Sequence, residues 1–343
     1  MPVRIVSGCS SADYGMLPSQ NHAHETSYAP VRIGLVNNMP VSAFKATEHQ
    51  FVSLLNAASK DVSIDLSLFV LRGTSLSALS QDTSLGRYPF TDELEGHRLD
   101  GLIVTGTEPT TAALSDEPYW QSFTQLVEWA RHNSLSTIWS CLAAHAALLH
   151  MDGIQRSRSR TKHFGIFPCD RVSEHWLLTG AGPRLSIPHS RWNGIAESDL
   201  FAHEYQLLTR TPDGEVDTFV KQDNSFFIFF QGHPEYETHT LLREYRRDIG
   251  RYLGIETTGY PLLPRDYFDV STERSFSSLQ RSAPSFSRDK LLDEIATIMK
   301  TISIRNTWQS TAALMYSNWI DYLCTCKEDG PSPRELDISR AAS

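Results

Sequence analysis

One cysteine in this sequence stands where a nucleophile would be expected. Cys141 follows the segment Ser136-Thr-Ile-Trp-Ser140, which resembles a buried strand, and precedes an Ala-rich helical stretch that begins at Leu142. Unpaired N–H groups at the start of a helix can stabilise a thiolate and can hold the oxyanion of a tetrahedral intermediate. The context therefore predicts a nucleophilic Cys141, although a cysteine before such a helix is more often a core residue.

A histidine and a glutamate follow a second strand pattern further along the chain. In the segment Gly232-His-Pro-Glu235, the carboxylate lies two positions beyond His233 and can fix the tautomer of its imidazole. Alone, such a segment is more often a turn, but both reactive groups follow strands. We therefore predict a catalytic triad of Cys141, His233 and Glu235, and we interpret the rival base His145 as a packing or orienting residue.

Strand and helix patterns alternate through the first half of the chain. Apolar and period-two patterns predict strands at 31–38, 62–71, 99–106 and 136–140, with helices at 47–56, 119–132 and 142–149. This order predicts an α/β fold with a mainly parallel sheet flanked by helices, whose active residues gather at the carboxyl ends of the strands. The region 162–231 is richer in strand patterns, most clearly at 215–221 and 225–231.

The remaining segments predict helices and the outline of a single domain. Helices are expected at 240–253, 289–301 and 308–326, with a Ser-rich loop at 271–288. We expect a flexible leader at 1–30, one domain at 31–326 with an inserted helical and loop segment at about 254–307, and a polar tail at 327–343.

Composition narrows the classes of function. The 343 residues carry a net charge of -9, which argues against a nucleic-acid partner because such proteins show a basic surplus. No apolar run reaches signal-peptide length or the ~18 residues of a membrane span, so we predict a cytoplasmic protein without a membrane partner.

The five cysteines are too few and too scattered for a disulfide framework. Cys324 and Cys326 are separated by one residue, but no second cluster stands at ligand spacing. We expect these two residues to pack on a helix, and we predict no metal site.

Several spaced segments together resemble a known family. The order of elements resembles the class I glutamine amidotransferase-like fold, and the wider pattern is similar to the homoserine O-succinyltransferase family, also called homoserine O-acyltransferases. The similarity spans residues 31 to about 323, and the segments that carry it are 36–40, 100–106, 119–120, Cys141 with Ala144 and 146–148, 152–154, 188–191, 232–236 with 240–241, 247–248 and 317–319.

The resemblance implies a reaction and a set of substrate contacts. Cys141 would take an acyl group from an acyl-CoA, and the triad would then pass it to the hydroxyl of homoserine, in methionine biosynthesis. Arg247 matches the arginine that binds the carboxylate of the acceptor, and Ser190 and Lys162 match substrate-lining positions. A surface salt bridge is the alternative for Arg247. The family also implies a possible homodimer and no bound cofactor.

This chain departs from the family pattern at several positions. Two extra residues before Thr47 leave Lys45 only approximately aligned with an active-site lysine. The position that selects the acyl group falls near Thr110, where glycine accompanies succinyl transfer and glutamate accompanies acetyl transfer. Threonine carries no repelling charge, so succinyl is favoured over acetyl. No glycine flanks Cys141, although a sharp turn usually prefers small residues.

Other interpretations remain open at this stage. The basic run Arg156–Lys162 is a candidate for the phosphates of CoA, and a solvated loop is the alternative. The acceptor is homoserine, serine or another hydroxy amino acid. A glutaminase-type cysteine hydrolase of the same fold is a second class of function, and a catalytically silent binding protein is a third.

Overall fold

A mixed ten-stranded sheet organises the residues that the computed structural model describes, which are 2–7, 29–75, 88–254 and 259–329. The strands are β1 (Val3–Ser7), β2 (Val31–Val36), β3 (Ile64–Phe69), β4 (Gly101–Val104), β5 (Ser136–Ser140), β6 (Ser157–Arg171), β7 (Arg184–Gly194), β8 (Gln206–Arg210), β9 (Val216–Gln222) and β10 (Phe226–Phe230). Their spatial order is β1-β3-β2-β4-β5-β10-β9-β8-β6-β7.

The predicted α/β sheet is confirmed for the half that carries the site. Strands β1, β3, β2, β4, β5 and β10 are mutually parallel, and β9, β8, β6 and β7 continue the sheet in antiparallel fashion. Phe230 pairs with Ser140, and Val104 pairs with Trp139. Because parallel strands end at the same edge, the residues that follow β4, β5 and β10 must lie side by side.

Helices cover both faces of the sheet and form a third group beyond it. They are α1 (Val41–Ala58), α2 (Trp120–Asn133), α3 (Leu142–Asp152), α4 (Glu197–Ala202), α5 (Thr240–Leu253), α6 (Val270–Ser282), α7 (Arg288–Met299) and α8 (Gln309–Asp329). Helices α1 and α8 share one apolar core with the sheet, α2 and α3 share a second, and α5, α6 and α7 form a third. No helix in the described part of the chain is long and apolar enough to span a membrane.

The predicted flexible leader is wrong for its first residues. Val3–Ser7 forms the edge strand β1, which pairs in parallel with β3. Val3 is buried, and Arg4 forms an ion pair with Asp65 of β3 at 2.9 Å. A segment of five residues is too short to show a strong period-two pattern, so pairing with β3, rather than local preference, makes this segment a strand. Residues 8–28 of the predicted leader lie outside the described residues.

Two predictions near the C-terminus are also wrong. The supposed loop at 271–288 contains helix α6, whose first turn is capped by Asp269 accepting a hydrogen bond from the Thr272 N–H at 2.8 Å. Phe276 and Leu279 bury its inner face, which outweighs the high serine content. Helix α8 continues to Asp329, beyond the predicted tail boundary at 327, and residues 330–343 lie outside the described part.

Close contact between α8 and β4 depends on a glycine. A Cβ at Gly101 would lie 2.7 Å from the Trp319 ring and 2.7 Å from a Leu323 methyl group. Trp319 in turn donates a hydrogen bond from its indole N–H to Ser136 Oγ at 3.0 Å. The family segment 317–319 therefore fastens α8 to the sheet beneath the strand that leads to Cys141.

We predict that Gly101→Ala lowers the free energy of unfolding by about 1–3 kcal/mol, because the added methyl group overpacks this contact. Urea denaturation followed by circular dichroism measures the change. Gly96→Ala is the matched control, since a Cβ there meets no atom within 4 Å. Equal stability of the two variants would contradict the packing argument.

Candidate active site

Cys141 occupies a strained turn between β5 and α3. Its backbone angles are φ 52° and ψ -111°, which a residue with a Cβ adopts only when the surroundings enforce them. The Cys141 N–H donates a hydrogen bond to the Phe230 carbonyl of β10 at 2.7 Å, and the thiol side chain is half-buried. This is the geometry of a nucleophile elbow, in which a strand ends and a helix begins at the reactive residue.

The missing flanking glycines are accommodated by the packing around this turn. Trp139 is fully buried, with its ring centroid 5.7 Å from Phe123 and 5.6 Å from Phe227. Gly106, just after β4, leaves space for the start of α3, because a Cβ at this position would lie 2.9 Å from the backbone nitrogen of Leu142. The β4 loop thus approaches the start of α3, where free N–H groups suit an oxyanion.

His233 is fixed by contacts on three sides. Its backbone N–H donates a hydrogen bond to the Pro188 carbonyl at 2.7 Å, and its ring Nδ1 lies 2.8 Å from Oε1 of Glu235. The imidazole stacks on the Tyr236 ring at a centroid distance of 4.3 Å. Glu235 is buried, and the His233 side chain is 13% exposed, so the pair is largely shielded from solvent.

The electrostatics of the site couple Cys141 to His233. Burial lowers the pKa of His233, but the charges of Cys141 and Glu235 and the hydrogen bonds to both raise that pKa well above its ordinary value. The imidazolium is thus the favoured form beside the sulfur and the carboxylate. Because the pKa of His233 is higher in the folded state than in the unfolded state, protonation of His233 stabilises the fold. This contribution to stability is fully present below the pKa of the unfolded state and is lost as the pH rises through the pKa of the folded state.

His145 lies one helical turn beyond Cys141 and is buried. Its Nε2 is 2.9 Å from Oε1 of Gln231, whose amide donates to the Val216 carbonyl at 2.7 Å. Burial lowers the pKa of His145 to about 4, partly opposed by the Gln231 hydrogen bond. A neutral imidazole that ties α3 to the residue after β10 matches the predicted orienting role.

A second set of polar groups lies on α5, facing His233. Glu244 accepts hydrogen bonds from Ser190 Oγ and, at 2.5 Å, from the Tyr236 hydroxyl. One turn later, Asp248 binds Lys162 at 3.1 Å and the guanidinium of Arg247 at 3.1 Å. Arg247 therefore forms a salt bridge within the protein, which was the alternative interpretation of this residue. The same residue also lines the cavity.

One cavity of about 1300 Å³ joins most of the predicted site residues. Its lining includes the triad Cys141, His233 and Glu235 together with Ser190, Lys162 and Arg247. From the basic run it includes Arg156 and Arg158 as well as Lys162. The structure therefore gathers six of the eight predicted site residues around one space.

Lys45 and Thr110 are the two predicted site residues that are not among the described residues lining this cavity. Lys45 donates a hydrogen bond to the Tyr88 hydroxyl at 2.8 Å and lies 3.7 Å from Glu48. Thr110 donates from its N–H and its hydroxyl to Glu117 at 2.6 and 2.8 Å. Thr111, the next residue, lines the cavity instead.

Another histidine and carboxylate pair lies behind the His233 loop. His189 and Asp217 are fully buried, with His189 Nε2 3.2 Å from Asp217 Oδ1, and Cys169 lies within 4.8 Å of both. The Arg191 guanidinium donates to His189 Nδ1 at 3.2 Å, while Thr209 and Thr218 donate to Asp217. We interpret this group as a hydrogen-bonded support for β7 and β9 and keep the prediction of no metal site.

Sequence reasoning missed three side chains of the site. Tyr236 stands within the segment that was singled out, but its stacking on His233 depends on the turn made after β10. Glu244 and Asp248 are four residues apart on α5, which places them on one helix face, and both are partly buried. That spacing beside Arg247 was the available signal for an acidic pair facing the site.

Comparisons with known proteins assign the chain to a family. A sequence model of the homoserine O-succinyltransferase family matches residues 11–329. This chain belongs to the homoserine O-succinyltransferase family. It is therefore an acyltransferase, as the resemblance had implied.

Two relatives illustrate the similarity. A homoserine O-succinyltransferase from Bradyrhizobium japonicum is 44% identical over 85% of this chain and 89% of its own length. One from Rhodopseudomonas palustris is 41% identical over 84% of this chain and 87% of its own length. A solved glutamine amidotransferase from Thermotoga maritima aligns with 86% of this chain and 99% of its own chain, at 13% identity and a TM-score of 0.46.

We predict that Glu235→Gln slows alkylation of Cys141 by iodoacetamide about tenfold at pH 6.5, because losing the carboxylate charge removes support for the imidazolium. Peptide mass spectrometry at Cys141 gives the rate.

Glu237→Gln is the matched control for this measurement. Glu237 is two residues further along and pairs with His49 and Arg243 rather than with His233. Its substitution should leave the alkylation rate unchanged. An equal effect of both substitutions would contradict the proposed coupling.

Proposed function

We propose that this protein transfers an acyl group, succinyl in preference to acetyl, from an acyl-CoA to the hydroxyl of homoserine through a thioester on Cys141. The observation that carries the proposal is a thiol, an imidazole and a carboxylate in hydrogen-bonded order at one wall of a cavity lined by several cationic side chains. The family supports the acyl and acceptor assignments, since its members are named for them.

The first half-reaction uses the ionised pair. The Cys141 thiolate attacks the thioester carbon of the donor, a new C–S bond forms, and the bond from that carbon to the CoA sulfur breaks. The departing CoA thiolate takes the proton from the His233 imidazolium. N–H groups at the start of α3 are positioned to stabilise the oxyanion formed on the way.

The second half-reaction uses the neutral imidazole that the first leaves behind. Once Cys141 is acylated, the negative charge that raised the pKa of His233 is gone, so His233 can act as a base. It takes the proton of the acceptor hydroxyl as the oxygen attacks the thioester. Cys141 then leaves as a thiolate, and the resting pair is restored.

Three residues near the triad are proposed to hold the acceptor. Arg247 binds the α-carboxylate, exchanging part of its pairing with Asp248 for that contact, because a guanidinium can serve a carboxylate with two N–H groups. Lys162, which shares Asp248, and Ser190, which is held by Glu244, position the remainder of the amino acid. Lys45 and Thr110 are left out of these contacts because their side chains are engaged elsewhere.

Two experiments separate this proposal from its alternatives. A panel of homoserine, serine and other hydroxy amino acids identifies the acceptor after the acyl-enzyme has formed. Release of ammonia from glutamine without any CoA ester would favour a cysteine hydrolase. Ping-pong kinetics are expected if the acyltransferase assignment is right.

We predict that the wild-type protein gains the mass of one succinyl group when mixed with succinyl-CoA and that Cys141→Ser gains none, because a hydroxyl lacks the ionised state that His233 supports. Intact-protein mass spectrometry before the acceptor is added detects the adduct. An adduct of equal yield in Cys141→Ser, or none in the wild type with succinyl-CoA or acetyl-CoA, would refute the thioester mechanism.

For Arg247→Ala, the expected result is a ten- to hundredfold rise in KM for homoserine with unchanged formation of the acyl-enzyme, since a charge-assisted pair is worth about 1.5–3 kcal/mol. Steady-state kinetics at saturating donor measure the rise. Arg246→Ala is the control, because Arg246 is also exposed on α5 but is outside the described lining of the cavity. A slower acyl-enzyme step in Arg247→Ala would argue against an acceptor role.

A further inference from the structure

Arg156 is a half-buried cation on the wall of the cavity that holds Cys141. It follows the end of α3, after the buried Ile154, and precedes β6. Its side chain lines the same space as the thiol. Among the described residues, none forms a hydrogen bond or an ion pair with its guanidinium.

The other cations of this cavity have partners of their own. Lys162 and Arg247 share Asp248, and Arg251 lies 3.4 Å from Glu108. Arg191 contacts Glu215 at 3.4 Å, and the Arg158 guanidinium lies over the Trp192 ring at 4.6 Å. Arg156 differs from all of them because its partial burial is not compensated by a direct contact with an anion or a ring.

Charges near Arg156 act on it from a distance. Burial lowers the pKa of its guanidinium, and the charges of Tyr119, Cys141 and Glu117 raise it in part. The Glu117 carboxylate is already occupied, since both of its oxygens accept hydrogen bonds from Thr110 and Thr111. Cys141 is thus one of three groups whose negative charge acts on Arg156, and it is the one whose charge changes during turnover.

Acylation removes that anion. When Cys141 becomes a thioester it loses its negative charge, and a succinyl group carries a new carboxylate two methylene groups away from the thioester carbon. Apolar side chains that line the cavity, among them Leu114, Leu142 and Leu149, suit the methylene groups. A cation at the far end of such a chain would restore the lost charge balance.

We propose that Arg156 binds the free carboxylate of the succinyl group and so selects a dicarboxylic acyl donor over an uncharged one. This inference rests on the proposed function and adds a specificity-determining residue to it. A phosphate of CoA offers the same chemistry, an oxyanion for a guanidinium, so the test must separate the acyl end of the donor from the CoA end.

The test compares donors that differ only at the acyl end. Butyryl-CoA has the carbon skeleton of succinyl-CoA with a methyl group in place of the carboxylate. For Arg156→Gln, the rate of adduct formation on Cys141 should fall about ten- to hundredfold with succinyl-CoA and stay the same or rise with butyryl-CoA. Undiminished butyryl transfer also shows that the variant is folded, and Arg156→Lys should recover part of the succinyl rate.

A third donor and a control variant complete the design. The succinyl thioester of N-acetylcysteamine has no phosphate groups, so the loss in Arg156→Gln should persist with it. Arg160→Gln is the matched control, because Arg160 is exposed and is outside the described lining of the cavity. All three donors should react with Arg160→Gln as they do with the wild type.

The outcomes distinguish this inference from the proposed function. An equal loss with succinyl-CoA and butyryl-CoA, or a loss that disappears with the phosphate-free donor, would overturn the carboxylate assignment and indicate binding of the CoA end. Wild-type protein that forms no adduct with any of the three donors would overturn the proposed function and this inference together.

Discussion

The electrostatic coupling between the Cys141 sulfur and the His233 imidazole is the interaction on which the rest of the site depends. It places the proton on His233 at rest, with Glu235 hydrogen-bonded on the other side of the ring. The sheet makes this possible because β5 and β10 are parallel neighbours and end together, with Ser140 opposite Phe230. A shift of one residue in that register would turn the elbow away from the histidine loop.

The charged groups that line the cavity differ in how they are paired. On α5, Glu244 and Asp248 hold Ser190, Lys162 and Arg247 in a network of hydrogen bonds and ion pairs. Arg156, which lines the same cavity, has no direct protein partner among the described residues. This difference suits the proposed two-step transfer, in which Arg156 binds the charged acyl group and the groups on α5 receive the zwitterionic acceptor.

Much of this arrangement could be predicted from the sequence. Apolar and period-two strand patterns that alternate with helix patterns made the parallel sheet predictable, and polar residues at the ends of β5 and β10 pointed to the triad. The side chains that surround the triad were harder to predict from the sequence. Glu244 and Asp248 meet their partners across distant segments, and the stacking of Tyr236 depends on a turn whose shape no local pattern specifies. Trp139, two residues before Cys141, is accommodated beside the tight elbow because its ring is buried against Phe123 and Phe227.

The elements that were mispredicted share a physical cause. Strand β1 is short and gains its stability from pairing with β3, and α6 is rich in serine but is held by Phe276 and Leu279. In both, tertiary contacts outweigh weak local preferences. Neither error affects the site, because β1 lies at the far edge of the sheet and α6 packs behind α5.

A titration of His233 followed by NMR, in the wild type and in Cys141→Ser, tests the central claim most directly. The account predicts that His233 stays protonated to a distinctly higher pH in the wild type, because the variant lacks the negative sulfur that raises this pKa. Identical titration curves for the two proteins would contradict it, since the imidazole would then be independent of the thiol.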